Sequence, residues 1–177
     1  MGNQIARTAC RTNILPGQGP AERNDRYLTP AHIVEALGEF DLDPCGAPDH
    51  VLAKRTYLLE NGDDGLIDPW NGRVWLNPPY GRYQRPWIER LVEHGEGTAL
   101  LPVATGTKLW QDVVWPNATA IHFYRHRIEF LRRKGFDGGE KMVSPQASAI
   151  IAFGDKDAEA LVRSDLPGFV VDFRVGG

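Results

Sequence analysis

Cysteine is scarce in this chain. Cys10 and Cys45 are the two in 177 residues, far apart and without C-x-x-C spacing. That excludes a disulfide framework and a cysteine zinc cluster, and it suits a reducing compartment. The five histidines show no metal-ligand spacing, so no metal site is expected. No stretch reaches the roughly 18 apolar residues that suggest a membrane-spanning helix. An apolar signal core is missing from the N-terminus. A cytoplasmic protein with no membrane association is therefore expected. Excess charge is also lacking: the net charge is −3, so there is no global nucleic-acid signature. Any polyanion site has to be a local basic patch. No internal repeat or low-complexity tract is present. What remains is ordinary for one globular domain, with 42% hydrophobic and 24% charged residues.

Residues 1–26 are polar, hold Pro16, Gly17, Gly19 and Pro20, and show no periodicity. They are expected to be a flexible arm, with a single domain over 27–177. Order is expected from "YLTP", where Thr29 suits a helix cap and Pro30 its first position. Ile33, Val34 and Leu37 follow on one helical face. "FDLD" (Phe40 to Asp43) and "RVWL" (Arg73 to Leu76) read as strands. Pro48 to Leu59 is ambiguous between a helical turn and a short strand. Trp87, Ile88, Leu91 and Val92 mark an amphipathic helix stopped by Gly95. "TALLPV" reads as a buried strand, "TKLWQDVVW" as a helix and "ATAIHF" as a strand. "YRHRIEFLRRKG" is strand-like and then basic. "ASAIIAF" is a strand, "DAEALVR" a helix and "FVVDF" a last strand. This alternation implies an α/β fold, with a mostly parallel sheet and an antiparallel element near the C-terminus. Ligands in such sheets sit at the carboxyl ends of the strands, which places Asp43 and Asn77 at one crevice.

The stretch "RVWLNPPYG" (Arg73 to Gly81) is built for chemistry. Two prolines fix their own φ angles and lack N–H groups, so the chain leaves its strand abruptly and rigidly. The Asn77 amide oxygen and the Pro78 carbonyl are two acceptors for the N–H bonds of an exocyclic amino group on a flat substrate. Such a nitrogen is a poor nucleophile because its lone pair is delocalised into the ring. Acceptors that favour a pyramidal nitrogen free that lone pair for an electrophilic methyl held in line. Pro79 stiffens the loop, and Tyr80 suits stacking on the ring. "FDLDPCGAP" offers Asp43, at a strand end, to a ligand's amino or hydroxyl donors. "NGDDGL" offers Asp63 and Asp64 to ribose hydroxyls or an adenine amino group. Arg125, Arg127, Arg132, Arg133 and Lys134 form a basic run, with Arg82 and Arg85 beside the Asn-Pro-Pro-Tyr loop. Together they are candidates to track phosphates.

These residues resemble the phage-type DNA N6-adenine methyltransferase family (Dam). The matching pieces are "YLTP", "FDLDPCGAP", "DDGL", "GRVWLNPPYG", "RIEF" and "SPQASAIIAFG", in order from Tyr27 to Gly154. The resemblance implies a Rossmann-like fold, S-adenosylmethionine as cofactor, and methyl transfer to adenine N6 in DNA with base flipping. It carries Asn77, Pro78, Pro79 and Tyr80 as the catalytic loop. It also places Tyr27, Thr29, Pro30, Asp43, Pro44 and Asp64 around the cofactor. Other readings are methyl transfer to cytosine N4, to RNA or to a protein glutamine, and a catalytically silent nucleic-acid-binding module. No insert resembles a separate target-recognition domain, so sequence reading falls to short loops or the arm, or is lax.

Overall fold

Two runs of apolar residues, "TALLP" and "SAIIAF", have side chains that avoid water on both faces, and they form the centre of the molecule. The computed structural model describes residues 27–132 and 141–176. The expected arm at 1–26, Arg133 and Lys134 lie outside the described residues, as do the side chains of Arg82 and Arg132. In chain order the strands are β1 (Tyr27–Leu28), β2 (Leu42–Asp43), β3 (Arg55–Thr56), β4 (Val74–Leu76) and β5 (Gly97–Pro102). They continue as β6 (Ala120–Tyr124), β7 (Glu129–Arg132), β8 (Lys141–Val143), β9 (Ser148–Phe153) and β10 (Gly168–Asp172). The helices are α1 (Ala31–Glu35), α2 (Gln84–His94), α3 (Trp115–Asn117) and α4 (Asp155–Arg163).

A seven-stranded sheet runs in the order β10-β6-β9-β5-β4-β2-β3. The pairs β3–β2, β2–β4 and β4–β5 are parallel. The pairs β5–β9, β9–β6 and β6–β10 are antiparallel. The sheet is therefore mixed, with the antiparallel part making up a full half rather than a terminal element. The chain reaches β9 from β6 through the β7–β8 hairpin and not through a crossover helix, and antiparallel strands need no such helix.

Side chains alternate across this sheet and build two cores. Val74 and Leu76 face one side with Trp87, Ile88 and Leu91 of α2. Trp75 faces the other with Phe40, Leu100 and Leu161, its ring edge-on to Phe40 at 5.6 Å. Two expectations change in detail. The "TKLWQDVVW" segment is not a plain helix: a π-helical turn at Trp110–Val114 runs into α3. The strand-like "RIEF" segment leaves the main sheet. As β7 it pairs with β1 and β8 in a separate three-stranded sheet, where Tyr27 lies opposite Arg132.

Arg73, at the entry to β4, is buried. Its Nε donates to Asp157 Oδ1 at 2.8 Å, and its Nη1 donates to the carbonyls of Leu37 (2.7 Å) and Glu39 (3.1 Å). Thr98 donates to the same Asp157 oxygen at 2.8 Å. The guanidinium carbon sits 4.1 Å from the centre of the Phe40 ring. One charged cluster thus joins the segment after α1 to β4, β5 and α4.

His122 on β6 is a second buried titratable group, 1% exposed. Its Nε2 lies 3.2 Å from the Leu166 carbonyl, which accepts. Its Nδ1 meets no partner among the described residues. Burial holds the imidazole below its ordinary pKa of 6.5. The unfolded chain then takes up this proton at a higher pH than the folded one. Thermal stability should fall as pH drops below about 6.5 and level off below the folded value. In melting curves from pH 8 to 5, His122→Leu should show a shallower pH dependence than the parent. Parallel curves would exclude the ring as a source.

Candidate active site

Leu76 ends β4, and the chain then turns out of the sheet through Asn77, Pro78, Pro79 and Tyr80. Gly81 follows at φ 82°, a left-handed conformation that costs a glycine little. It opens a 3-10 turn (Gly81–Tyr83) that leads into α2. Both prolines are buried and Asn77 is half-buried.

The Asn77 side chain is held by two acceptors. Its Nδ2 donates to the Tyr27 carbonyl and to Thr29 Oγ1, each at 3.1 Å. A carbonyl only accepts, so the amide NH2 must face Tyr27. Both its protons are then committed, and Oδ1 remains as the acceptor. This is the polarity that binding an amino group requires.

Tyr80 lies against Tyr27 with ring centroids 5.8 Å apart and planes 16° apart, an offset stack. Tyr27 meets Phe130 edge-on at 5.7 Å. Burial pushes the Tyr80 phenol well above its ordinary pKa, so it stays neutral at physiological pH. The ring offers an uncharged aromatic face.

A cavity opens beside this loop. Its wall is Tyr27 to Thr29, Asp43, Cys45 to Ala47, His50, Leu52, Trp75 and Asn77 to Tyr80. Asp43 ends β2, is 4% exposed, and accepts the Cys45 N–H at 3.0 Å. Gly46 is required here: a Cβ would stand 2.1 Å from Thr56 Cγ2 and 3.3 Å from Asp43 Oδ2. The cavity wall therefore combines a buried carboxylate, a bare glycine backbone close to it, aromatic rings and the Asn77 side chain.

The structure brings Tyr27, Thr29, Asp43 and Asn77 to Tyr80 into one wall. It sets others apart. Pro30 stands at the start of α1, where its carbonyl accepts the Ile33 N–H at 3.1 Å. Pro44 is buried against Gly65, where a Cβ would come within 1.9 Å of the Pro44 carbonyl oxygen. Asp63 accepts the Leu58 N–H at 2.9 Å, and Asp64 accepts the Leu66 N–H at 3.1 Å. These two carboxylates shape the loop before β4 and lie outside the cavity wall. Arg85 on α2 pairs with Glu89 (2.7 Å) and Asp112 (3.4 Å). Arg125, His126 and Arg127 are exposed. Their turn follows β6, which is antiparallel to β9 as β5 is. It therefore lies at the same sheet edge as Asn77.

Sequence reading missed His50, Cys45, Gly46 and Leu52 as wall residues. Gly46 carried a signal, since a glycine just after a strand-end aspartate marks a close approach. For His50 there was none. Among the described residues no group of three or more His, Cys, Asp or Glu is placed to hold a metal. No helix among them is long and apolar enough to cross a membrane.

The chain is 28% identical over 131 residues to the DNA N-6-adenine-methyltransferase of Escherichia phage T1, an alignment that covers 68% of this chain and 52% of that protein. It thus spans about half the length of the curated relative it matches. No solved structure matches it. The family model for DNA N-6-adenine-methyltransferase (Dam) matches residues 17–160, which include every wall residue of the cavity. The chain belongs to the DNA N-6-adenine-methyltransferase (Dam) family.

Proposed function

We propose that this chain methylates the N6 amino group of an adenine flipped out of duplex DNA, with S-adenosylmethionine as donor. The observation that carries the reading is the Asn77 amide, pinned at its nitrogen so that its oxygen is left to accept, in the wall of a cavity that Asp43 and Tyr80 also line. The relative's name points the same way.

The cavity fits the cofactor chemically: a buried carboxylate suits hydroxyl or amino donors, and the Gly46 backbone leaves room for close approach. Tyr27, Thr29 and Asp43 would hold it from the wall, while Pro30, Pro44, Asp63 and Asp64 shape the loops behind. S-adenosylmethionine supplies, when bound, an electrophilic methyl group. The Asn77 oxygen and the Pro78 carbonyl accept the two N6–H bonds of the adenine. Those bonds strengthen as the nitrogen becomes pyramidal, so they favour the transition state over the ground state. Tyr80 stacks on the ring and keeps the nitrogen in line. The methylated nitrogen carries a positive charge and is strongly acidic, so its extra proton passes to solvent; the Asn77 amide accepts hydrogen bonds but is too weak a base to take it. Within a duplex the base is out of reach, so it must be extruded, at a cost of a few kcal/mol. We read the fold as Rossmann-like, on the strength of the parallel β3-β2-β4-β5 half and a site at its carboxyl edge.

The test is mass spectrometry of nucleosides from duplex DNA incubated with the protein and labelled cofactor. Label in N6-methyldeoxyadenosine is expected. Label confined to deoxycytidine, RNA or protein would reject adenine as the acceptor. Asp43→Ala should weaken S-adenosylhomocysteine binding in calorimetry by about tenfold or more, the usual worth of a hydrogen bond to a charged group. Unchanged affinity would remove Asp43 from the cofactor site.

Arg125 and Arg127, exposed at the active edge, would meet phosphates, with Arg82, Arg132, Arg133 and Lys134 as further candidates; Arg85 is the weakest of them because of its two carboxylate partners. Arg125→Ala with Arg127→Ala should weaken DNA binding across sequences. It should also flatten the plot of log affinity against log salt by about 2 units. An unchanged slope would make this turn an ordinary solvated surface.

A further inference from the structure

The loop after β2 does more than form a wall. Ala47 and His50 close a turn, with the His50 N–H donating to the Ala47 carbonyl at 3.2 Å. Asp49 within it has φ 61° and is the one non-glycine residue at positive φ among the described residues. A left-handed aspartate in a tight turn is a sparsely populated arrangement held by its surroundings. The turn sends the His50 ring back to β1. There Nε2 lies 2.9 Å from the Thr29 carbonyl oxygen. That oxygen only accepts, so Nε2 carries the proton. Burial holds the ring below its ordinary pKa, against the opposing pull of that bond. It is therefore the neutral Nε2–H tautomer near pH 7.

Thr29 is the same residue whose Oγ1 accepts from Asn77. It is 1% exposed. The ladder between β1 and β7 ends at Leu28, so the Thr29 carbonyl lies beyond it. His50 meets that carbonyl where sheet pairing stops. The chain of contacts runs from the loop beside Asp43, through His50 and Thr29, to the amide that faces the substrate.

We propose that His50 is a positioning residue for methyl transfer, which ties the loop after β2 to Thr29 and through Thr29 fixes the orientation of the Asn77 amide. The proposal rests on the methyl-transfer reading above. It implies that the wall around the cofactor and the aim of the catalytic amide are one mechanical unit. A loop displaced at its His50 end would turn the Asn77 oxygen away from the amino group.

The experiment compares His50→Leu, which removes the donor, with His50→Gln, whose side-chain amide keeps one. Two readouts are taken on the full chain. The first is the Asn77 side-chain NH2 pair in a 1H–15N spectrum without cofactor, assigned by its loss in Asn77→Ala. The second is the single-turnover rate on duplex DNA at saturating labelled S-adenosylmethionine. His50→Leu should shift the Asn77 pair and lower the rate by about ten- to a hundredfold, the scale of a misplaced catalytic group. His50→Gln should recover most of both. Adding Thr29→Val to His50→Leu should cost less than the two single losses combined, because both act through one contact chain. An Asn77 pair unmoved by His50→Leu overturns the tie, whether or not the chain methylates DNA. Equal rate losses in the Leu and Gln variants, in step with lowered melting temperature, overturn it in favour of a merely structural role. A parent protein that labels no nucleoside sinks the methyl-transfer reading instead, and the spectrum still reports on the tie itself.

Discussion

Asn77→Ala is expected to lower the single-turnover rate of methyl transfer by about a hundred- to a thousandfold, the loss seen when one preorganised charge-stabilising group is removed from an active site. The amide is preorganised in that sense. Its nitrogen is tied to the Tyr27 carbonyl and Thr29 Oγ1, so its oxygen needs no reorganisation when the substrate arrives. The bonds that oxygen accepts gain strength as the amino nitrogen loses its ring conjugation, so the loss should fall on the chemical step. Affinity for S-adenosylhomocysteine and for DNA should stay near the parental values. Asn77 is half-buried, and the truncation leaves the Thr29 hydroxyl to find another partner, so a small loss of stability is expected as well. Rapid-quench measurement with labelled cofactor separates these effects. A parental rate in Asn77→Ala would mean that the Asn-Pro-Pro-Tyr stretch is a turn and nothing more.

Much of this site was legible in the sequence, because its parts are local. Two prolines after an apolar strand announce a rigid exit whatever surrounds them. An aspartate followed by Pro-Cys-Gly announces a tight strand-end loop. The central main-sheet strands were legible for the same reason, since "VWL", "TALLP" and "SAIIAF" are buried on both faces and carry continuous apolar runs, whereas the two-residue edge strand β3 was left ambiguous. What stayed hidden depends on contacts between distant residues. Nothing in "YLTP" says that the Tyr27 carbonyl and the Thr29 hydroxyl will hold an amide some fifty positions on. His50 gave no sign because its role rests on the left-handed turn at Asp49 and on the packing of β1. The segment "RIEF" looks like any strand, and its partner β1 is two residues long, too short to show a period. Asp63 and Asp64 mislead in the other direction. Aspartates before a glycine are equally at home satisfying their own loop, and here they bond the backbone amides of Leu58 and Leu66.

The buried charge cluster that carries β4 toward the site gives the largest expected effect on stability. Asp157→Ala removes the carboxylate that pairs with the Arg73 guanidinium in the core, where the two side chains are 0% and 5% exposed. Arginine cannot shed its charge. The variant therefore keeps an uncompensated buried cation, and the Thr98 hydroxyl loses its acceptor too. Breaking a buried pair in this way costs about 3–5 kcal/mol. At this chain length that corresponds to a melting point lower by roughly 6–20 °C. Arg73→Ala should behave differently. Burial already pushes the Asp157 carboxyl above its ordinary value of 3.8, with Arg73 and Thr98 acting against that rise. Without Arg73 the carboxyl rises further and escapes its charge by taking a proton. A carboxyl whose folded pKa lies above its unfolded one favours the folded state at low pH, and that advantage is lost as pH rises through the folded value. The deficit of Arg73→Ala relative to the parent should therefore shrink between pH 8 and pH 5, whereas that of Asp157→Ala should not. Arg73→Ala also frees the Leu37 and Glu39 carbonyls, so it should remain destabilised at every pH. Urea melts of both variants at the two pH values decide the matter. Equal and pH-independent deficits would show that the carboxyl stays ionised without its partner, and the electrostatic account of the cluster would fail.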